Sequence, residues 1–254
     1  IRLYNESLQQ EALKKELELA SRMQSMLIPD NNSLPNNERI FVSTFYKPHY
    51  EVGGDYYDYI RLNDEEEVFC IADVSGKGIS AALLMSNFQA NLRALFTTNT
   101  DIEGIIPKLN ERVMNSAKGE KFITLFLAKY NYKSGVLEYI TAAHNPPILY
   151  KTESEDMQFL KDGCIGLGML DEIPAIIKGE IKITERTKLL CYTDGLVELM
   201  GSEKVHYDTE QIKSRVINRK RIDHNIQNII EDQSIEEGST AIFDDISLVG
   251  IEFG

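Results

Sequence analysis

The sequence predicts an α+β fold in which two packed, largely antiparallel sheets are flanked by pairs of helices, after an N-terminal linker helix. Two observations favour this fold. The 254-residue chain is 43% hydrophobic and can bury one substantial core. Short strand-like segments also follow one another with only turn residues between them, which leaves no room for the helical crossovers of a parallel sheet. We therefore expect one large domain, residues 30–254, behind a linker helix, residues 1–29.

The linker helix is predicted over residues 3–28, which lack glycine and proline and are followed by Pro29. Part of its apolar face has the alternating spacing of four and three residues that is typical of a coiled coil: Leu13, Leu17, Ala20 and Leu27, with the polar Gln24 in the same register. This face can pack on its own domain, or part of it can also pair with a second copy and connect to an upstream domain. We favour the second, because the chain begins inside this helix.

Segments that are rich in β-branched and aromatic residues predict the strands. These cover residues 40–46, 52–62, 68–74, 122–130, 136–142, 148–151, 157–160, 176–183, 188–193 and 245–253. Helical patterns cover residues 79–96, 208–218 and 224–237, and a further helix is expected after Asp101 as its N-cap. Pro107 is expected to kink that helix or to delay its start.

The composition disfavours several classes of protein. A net charge of −13 disfavours nucleic-acid binding, because a nucleic-acid ligand needs a basic surface. The three cysteines, Cys70, Cys164 and Cys191, are odd in number and widely spaced, so we interpret them as reduced residues of a cytoplasmic protein. No apolar run is long enough to span a membrane, so a membrane anchor of the full-length protein would lie upstream. The start at Ile1 rather than Met suggests a fragment of a longer chain.

Four aspartates stand where strand-forming residues meet glycine or a turn: Asp55, Asp73, Asp194 and Asp244. At such positions a carboxylate emerges at the end of a strand, and tertiary folding can bring the four together. Hard oxygen ligands of this kind suit Mg²⁺ or Mn²⁺ rather than zinc. Two such ions about 3.5–4 Å apart lower the pKa of a shared water and neutralise charge on phosphoryl oxygens. The pattern therefore predicts a metal centre for a phosphorylated substrate.

Five segments carry a resemblance to a known family: residues 53–58 (GGDYYD), 73–78 (DVSGKG), 143–147 (AHNPP), 192–198 (YTDGLVE) and 244–247 (DDIS). Each is weak alone, but in this order and spacing they resemble the SpoIIE/RsbU-like bacterial branch of the PPM (PP2C-type) serine/threonine phosphatases. The likeness runs from about residue 20 to the C-terminus. It implies an α-β-β-α sandwich with two metal ions, Mn²⁺ or Mg²⁺, between the sheets, and hydrolysis of phosphoserine or phosphothreonine on a protein.

The resemblance also implies roles for individual residues. Asp73 would bridge the two metal ions, and the Val74 carbonyl would bind one of them. Asp194 and Asp244 would hold the other ion, and Asp55 would be a further ligand, directly or through water. Asp55 and Asp73 are thereby predicted to be catalytic.

Other positions depart from the family pattern or are left open. Lys77 lies in the glycine loop where eukaryotic relatives have a histidine, and we predict that it contacts phosphate or supplies a proton; a loop-structuring role is the alternative. Asp58 and Asp245 are either part of the site or ordinary solvent-facing or turn-capping acids. His144 is interpreted as a structural turn residue, and Ala143 precedes it where glycine is common in this branch.

The resemblance further implies partners: a phosphorylated anti-sigma-factor antagonist as substrate, an upstream sensor or receiver domain, and a homodimer through the N-terminal helix. In that hypothesis, a shift of the helix changes the geometry around Asp73. Two alternatives remain. One is a catalytically inactive, phosphatase-like signalling scaffold. The other is a diguanylate cyclase, which also uses a Gly-Gly-Asp hairpin, although residues 56–58 read Tyr-Tyr-Asp instead of the Glu-Phe continuation.

Overall fold

The computed structural model describes residues 2–97, 101–198, 208–233, 235 and 243–254. The described chain forms four layers, in which two sheets lie between two pairs of helices. This is the α-β-β-α arrangement that the sequence predicts.

The helices are α1 (Arg2–Ser25), α2 (Ile79–Phe96), α3 (Ile102–Ala117), α4 (Asp194–Val197), α5 (Thr209–Val216) and α6 (Ile222–Asp232). The strands are β1 (Ile40–Lys47), β2 (Tyr56–Arg61), β3 (Glu66–Val74), β4 (Ile123–Asn131), β5 (Val136–Ala142), β6 (Ile148–Lys151), β7 (Met157–Phe159), β8 (Gly163–Cys164), β9 (Gly179–Lys182), β10 (Thr187–Tyr192) and β11 (Ile246–Phe253). A short 3-10 helix, Asn31–Ser33, lies between α1 and β1.

The first sheet has the strand order β1-β11-β10-β6-β7, and its neighbours are antiparallel. The second sheet has the order β2-β3-β4-β5-β8, and β9 pairs with the first half of β5. In this sheet β5 and β8 are parallel, while the other pairs are antiparallel. Helices α5 and α6 pack on the first sheet, and α2 and α3 pack on the second.

The alternation of side chains along β10 shows how the layers are joined. Leu189 and Cys191 belong to the main core, which fills the space between the sheets and beneath α2 and α3. Leu190 and Tyr192 point to the opposite face, where they join a second core under α5 and α6. Because successive side chains of a strand face opposite sides, one apolar strand serves both cores.

The predicted strand over residues 52–62 begins only at Tyr56. Residues 53–55 form a loop instead, because the backbone N–H groups of Gly54 and Asp55 donate to the Asp245 side chain rather than to a neighbouring strand. The strand predicted over residues 176–183 is likewise shorter, Gly179–Lys182.

Pro107 lies inside α3 and does not delay its start, so that part of the prediction is wrong. The helix begins directly after Asp101, whose carboxylate accepts hydrogen bonds from the backbone of Glu103 and Gly104. Pro107 is exposed, and α3 buries a face of Ile102, Ile105, Ile106, Leu109 and Val113. Burial of this face outweighs the cost of proline inside a helix, about 3 kcal/mol.

Two short elements, β8 and α4, have no counterpart in the predicted elements. Both are too short for a periodic pattern to show. The predicted final helix and the segment before the last strand extend over residues 236–237 and 241–242, which lie outside the described residues.

Helix α1 ends at Ser25, so Leu27 of the predicted seam lies beyond it. Most of the described α1 side chains are exposed; Leu13, for example, is 55% exposed, whereas Gln24 is buried. Of the described helices, none is long and apolar enough to cross a lipid bilayer.

Candidate active site

The four aspartates that the sequence singles out lie at one end of the sandwich. Asp55 directly precedes β2 and Asp73 lies near the end of β3, and these strands are antiparallel neighbours in the second sheet. Asp194 follows β10 and Asp244 precedes β11, which are antiparallel neighbours in the first sheet. The start of one strand and the end of its antiparallel neighbour lie at the same edge, so both sheets present their acids at this end.

Asp73 is the electrostatic centre of the group. Burial raises the pKa of its carboxyl to about 7, together with the negative charges of Asp194, Asp244 and Asp245, while a hydrogen bond with Asp55 lowers it. The pKa of Asp194 is also raised, first by burial and then by Glu198 and Asp244. Acids from both sheets are therefore close enough to oppose one another's ionisation, which is the convergence that the metal-site prediction requires.

Asp55 is completely buried and joins the two sheets. Its Oδ2 accepts hydrogen bonds from Thr193 Oγ1 at 2.8 Å and from Ser247 Oγ at 2.7 Å. Thr193 directly follows β10 and Ser247 lies in β11, so both donors come from the first sheet. Burial nevertheless raises the pKa of Asp55 well above its usual value, with Asp73 and Asp245 as further causes. The sequence analysis missed Thr193 and Ser247, although both stand within three residues of a predicted metal ligand.

Asp245, which the sequence left undecided, holds the loop in front of Asp55. Its carboxylate accepts from the backbone N–H of His49 at 2.7 Å and of Gly54 at 2.6 Å. The loop is tight: a Cβ added to Gly53 would lie 2.4 Å from Asp245 Oδ2 and 2.5 Å from Tyr46 Oη. Asp245 therefore caps this loop by accepting from its backbone. Glycine is needed at position 53 because a Cβ there would collide with the Asp245 and Tyr46 side chains.

The other side of the same loop is bound by α1. The Gln24 side chain donates to the Gly53 carbonyl at 2.7 Å and accepts from the Gly53 N–H at 3.0 Å. At Gly54, a Cβ would lie 3.0 Å from the Val74 carbonyl oxygen, the predicted backbone ligand. The loop thus lies between α1, Asp245 and the end of β3.

Asp58, the second undecided acid, does not face solvent or cap a turn. It lies inside β2 with its side chain fully buried, and Arg93 of α2 binds it with two hydrogen bonds of 2.7 Å. Tyr56 Oη donates to the same carboxylate. Asp58 is therefore a structural partner of Arg93, and it ties α2 to the strand that follows Asp55.

Lys77 lies on the exposed side of the acidic group. Its Nζ is 2.9 Å from Asp244 Oδ2 and also donates to the Phe243 carbonyl. Burial by itself lowers the pKa of Lys77, but the hydrogen bond and charge of Asp244 outweigh it, so the pKa is raised. Lys77 is a cation beside a predicted metal ligand, and the same contacts also fit the loop-structuring alternative.

The donor set fits a hard divalent cation. Within the described ranges, no three Asp, Glu, His or Cys side chains stand close enough to form a ready-made metal site. However, Asp73 interacts electrostatically with Asp55, Asp194, Asp244 and Asp245, and the pKa of four of these five acids is raised. Carboxylates in this state gain strongly from a bound Mg²⁺ or Mn²⁺ ion.

Comparisons with known proteins show the family and the fold of the chain. The family described as Stage II sporulation protein E (SpoIIE) matches residues 63–254. Phosphoserine phosphatase RsbU of Bacillus subtilis (strain 168) is 30% identical over 161 residues, which cover 63% of this chain and 47% of RsbU. The chain spans less than half the length of the curated relatives it matches.

Solved structures have the same fold. The SiaA PP2C domain of Pseudomonas aeruginosa superposes with a TM-score of 0.81 at 20% identity, over 96% of this chain and 98% of that domain. RsbX in complex with magnesium superposes with a TM-score of 0.66 at 17% identity, over 87% of this chain and 98% of RsbX. The fold of the chain is therefore that of the PP2C domains.

Proposed function

Because the chain belongs to the SpoIIE family and resembles its RsbU-like PP2C phosphatases, we propose that it is a metal-dependent protein-serine/threonine phosphatase. The observation that carries the proposal is the convergence of Asp73 with Asp194 and Asp244, since two sheets contribute acids to one charged centre. A relative that is named a phosphoserine phosphatase adds support. The diguanylate-cyclase alternative gains no support from the fold or the family.

The residues divide into those that would hold metal and those that prepare the site. Asp73, Asp194, Asp244 and Asp55, together with the Val74 carbonyl, would hold the Mn²⁺ or Mg²⁺ ions. Once bound, such a pair supplies a low-pKa water for attack on phosphorus and neutralises charge on the phosphoryl group.

Other side chains would prepare the site and bind the substrate. Thr193 and Ser247 orient the Asp55 carboxylate, and Asp245 holds the backbone in front of it. Lys77, a third exposed beside Asp244, would contact a phosphate oxygen or give a proton to the departing serine oxygen. No covalent phosphoenzyme is required, because water is the nucleophile.

The test is release of phosphate from p-nitrophenyl phosphate and from phosphoserine peptides with Mn²⁺ or Mg²⁺. Asp73→Asn is expected to lower the rate by more than about 100-fold, because metal-site changes even outside the ligands cost about 10–100-fold. Asp64→Asn is the matched control, since Asp64 is 97% exposed on a hairpin tip. A wild-type protein that binds Mn²⁺ but releases no phosphate would support the alternative, an inactive PP2C-like scaffold.

We also propose a phosphorylated signalling protein, an anti-sigma-factor antagonist, as the substrate, and a cytoplasmic location for this domain. The family resemblance supports both. Dephosphorylation of a panel of phosphorylated antagonist proteins, compared with phosphotyrosine peptides, tests the substrate. A preference for phosphotyrosine would contradict the proposal.

We also propose that the protein forms a homodimer through α1 and that a sensor or receiver domain lies upstream. An apolar groove of about 530 Å³ lies between α1 and the start of α2, and its lining includes Leu13, Leu17, Ile79 and Leu83. Ile79 and Leu83 are 56% and 67% exposed, which supports a partner surface.

Leu13→Lys with Leu17→Lys should abolish a dimer seen by light scattering, whereas Gln9→Lys with Gln10→Lys should not. A dimer that survives the leucine changes argues against this seam.

A further inference from the structure

His144 lies in the loop that follows β5, at the end of the sandwich that carries the aspartates. Its side chain is only 5% exposed. The Nδ1 atom is 2.9 Å from the Thr124 Oγ1 atom of β4. A buried imidazole with a specific partner at this end of the molecule is more than a turn residue.

Thr124 connects this contact to the metal-site residues. In the β3–β4 ladder, Thr124 is the direct partner of Asp73. Directly opposed residues of an antiparallel pair point to the same face of the sheet, with Cβ atoms about 4.5–5.5 Å apart. The hydroxyl that His144 holds therefore stands beside the Asp73 side chain.

Burial decides the protonation state of the imidazole. The backbone of Tyr192 favours protonation of His144, yet burial dominates and lowers the pKa of the ring to about 4. Tyr192 ends β10 and directly precedes Thr193 and Asp194. Among the described residues, no hydrogen-bond partner is found for His144 Nε2, so Thr124 is the partner through which the ring acts. The ring is neutral at physiological pH.

The backbone before His144 is strained in a way that fixes its direction. Ala143 has a φ of 50°, a left-handed conformation that is unfavourable for an L-residue other than glycine. The Ala143 N–H donates to the Cys164 carbonyl at 3.0 Å, which holds this conformation. Strain of this kind persists where the surrounding structure requires one side-chain placement.

We propose that His144 is a positioning residue of the metal site: through its contact with Thr124, the direct partner of Asp73 in the β3–β4 ladder, it fixes the position of the Asp73 carboxylate. The inference rests on the proposed function, because it concerns the same metal-binding carboxylates. It predicts that loss of the His144–Thr124 contact weakens metal binding beyond any effect on folding.

The experiment is calorimetric titration of the purified protein with Mn²⁺, together with thermal unfolding of each variant. His144→Phe keeps the ring shape without nitrogen, and Thr124→Val keeps the side-chain shape without the hydroxyl. Each is expected to weaken Mn²⁺ binding about 10-fold, the size of effect that residues supporting metal ligands show. The double variant should bind Mn²⁺ as tightly as the weaker-binding single variant, because the two changes remove the same His144–Thr124 contact.

Two further variants separate positioning from general stability. His144→Asn retains a polar atom near the Nδ1 position and should restore Mn²⁺ binding to within about threefold of wild type, which is about 0.7 kcal/mol. Thr152→Val makes the same change as Thr124→Val in a buried threonine at the opposite end of the sheets, where Thr152 Oγ1 donates to the Arg186 carbonyl. This control should lower the unfolding temperature without changing Mn²⁺ affinity.

Unchanged Mn²⁺ affinity in His144→Phe and Thr124→Val, or additive losses in the double variant, would overturn the inference while leaving the proposed function in place. If His144→Phe does not fold, Thr124→Val against Thr152→Val decides. A wild-type protein that binds no Mn²⁺ overturns both proposals.

Discussion

Two buried acidic regions lie only three residues apart along the chain and are built in opposite ways. At Asp58, one carboxylate is matched by one guanidinium, with two hydrogen bonds of 2.7 Å to Arg93. At Asp55, the neighbouring groups are further acids, and hydroxyl donors replace a cation. The first region is electrostatically balanced within the protein, whereas the second is not.

The difference separates structure from function. A buried carboxylate that is paired with arginine needs nothing from outside, so its role is to join α2 to the second sheet. A group of buried carboxylates that oppose one another's ionisation destabilises the fold, and chains keep such groups where a ligand compensates the charge. The unbalanced region is therefore the candidate metal site, although both regions contain aspartate at a strand.

The largest expected effect comes from removing the balance at Asp58. Arg93→Met leaves a fully buried carboxylate without its cation, which should cost about 3 kcal/mol, at the low end for a buried pair because Arg93 is half exposed. The unfolding temperature should fall by about 6–12 °C. Arg61→Met is the control: its partner Asp64 is exposed, and the loss should be below about 1 kcal/mol. Equal losses in the two variants would show that the two ion pairs do not differ as described.

The next effect concerns the loop that holds Asp55. Gly53→Ala would push a Cβ to 2.4 Å from Asp245 Oδ2, so the loop must move, and Mn²⁺ binding should weaken about 10-fold in a calorimetric titration. Gly119→Ala is the matched control, since Gly119 has a φ of 78° and open space around it. That variant should lose roughly 1–2 kcal/mol of stability from backbone strain while Mn²⁺ affinity stays constant. Normal binding by Gly53→Ala would count against the role of Asp245 in shaping the site.

A smaller effect is expected from the hydroxyl donors of Asp55. Ser247→Ala removes a 2.7 Å hydrogen bond to the carboxylate, and a loss of about 1 kcal/mol corresponds to about fivefold weaker Mn²⁺ binding. Ser154→Ala removes a bond of the same type and length, from a hydroxyl to the Glu185 carboxylate, at the surface. Calorimetry should find no change in that control. A stronger metal affinity in Ser247→Ala would mean that the hydroxyl competes with the ion instead of orienting its ligand.

The smallest effect concerns pH in the presence of a chelator. The pKa of Asp73 is raised to about 7, so between the unfolded value near 4 and pH 7 the folded protein binds more protons than the unfolded one. Asp73 therefore lowers the free energy of unfolding as pH rises through this range, while His144, whose pKa is lowered to about 4, acts in the opposite direction below about pH 6.5. The carboxyls of Glu138, Glu185 and Asp223, whose pKa is lowered, titrate below the range.

The measurement is the unfolding temperature with EDTA at about pH 5.5 and about pH 8. The two temperatures should differ by about 2–4 °C for each kcal/mol of difference in the free energy of unfolding. Asp73→Asn should flatten the difference and raise the unfolding temperature at the higher pH, because one repelling charge is gone. Higher stability at the higher pH, together with no effect of Asp73→Asn, would contradict an unbalanced acidic centre. Mn²⁺ should reverse the trend, since metal binding releases protons.

Much of the fold could be predicted because each long element carries a periodic pattern. Helix α2 matches its predicted range, residues 79–96, and β5 matches residues 136–142. The start of β2 and the continuity of α3 could not be predicted in the same way. The start of β2 depends on Asp245, whose carboxylate accepts from the Asp55 amide although the two residues are 190 positions apart. The continuity of α3 depends on burial of one of its faces.

The sequence by itself determined which acids stand at strand ends, the order of helices and strands, and the family to which the chain belongs. It did so because periodicity and short motifs are local properties of the chain. Tertiary structure alone decided that Asp58 is neutralised by Arg93, that Thr193 and Ser247 donate to Asp55, and that His144 contacts Thr124 beside Asp73. The physical reason is that the energy of a buried charge depends on its neighbours in space, and those neighbours come from distant parts of the chain.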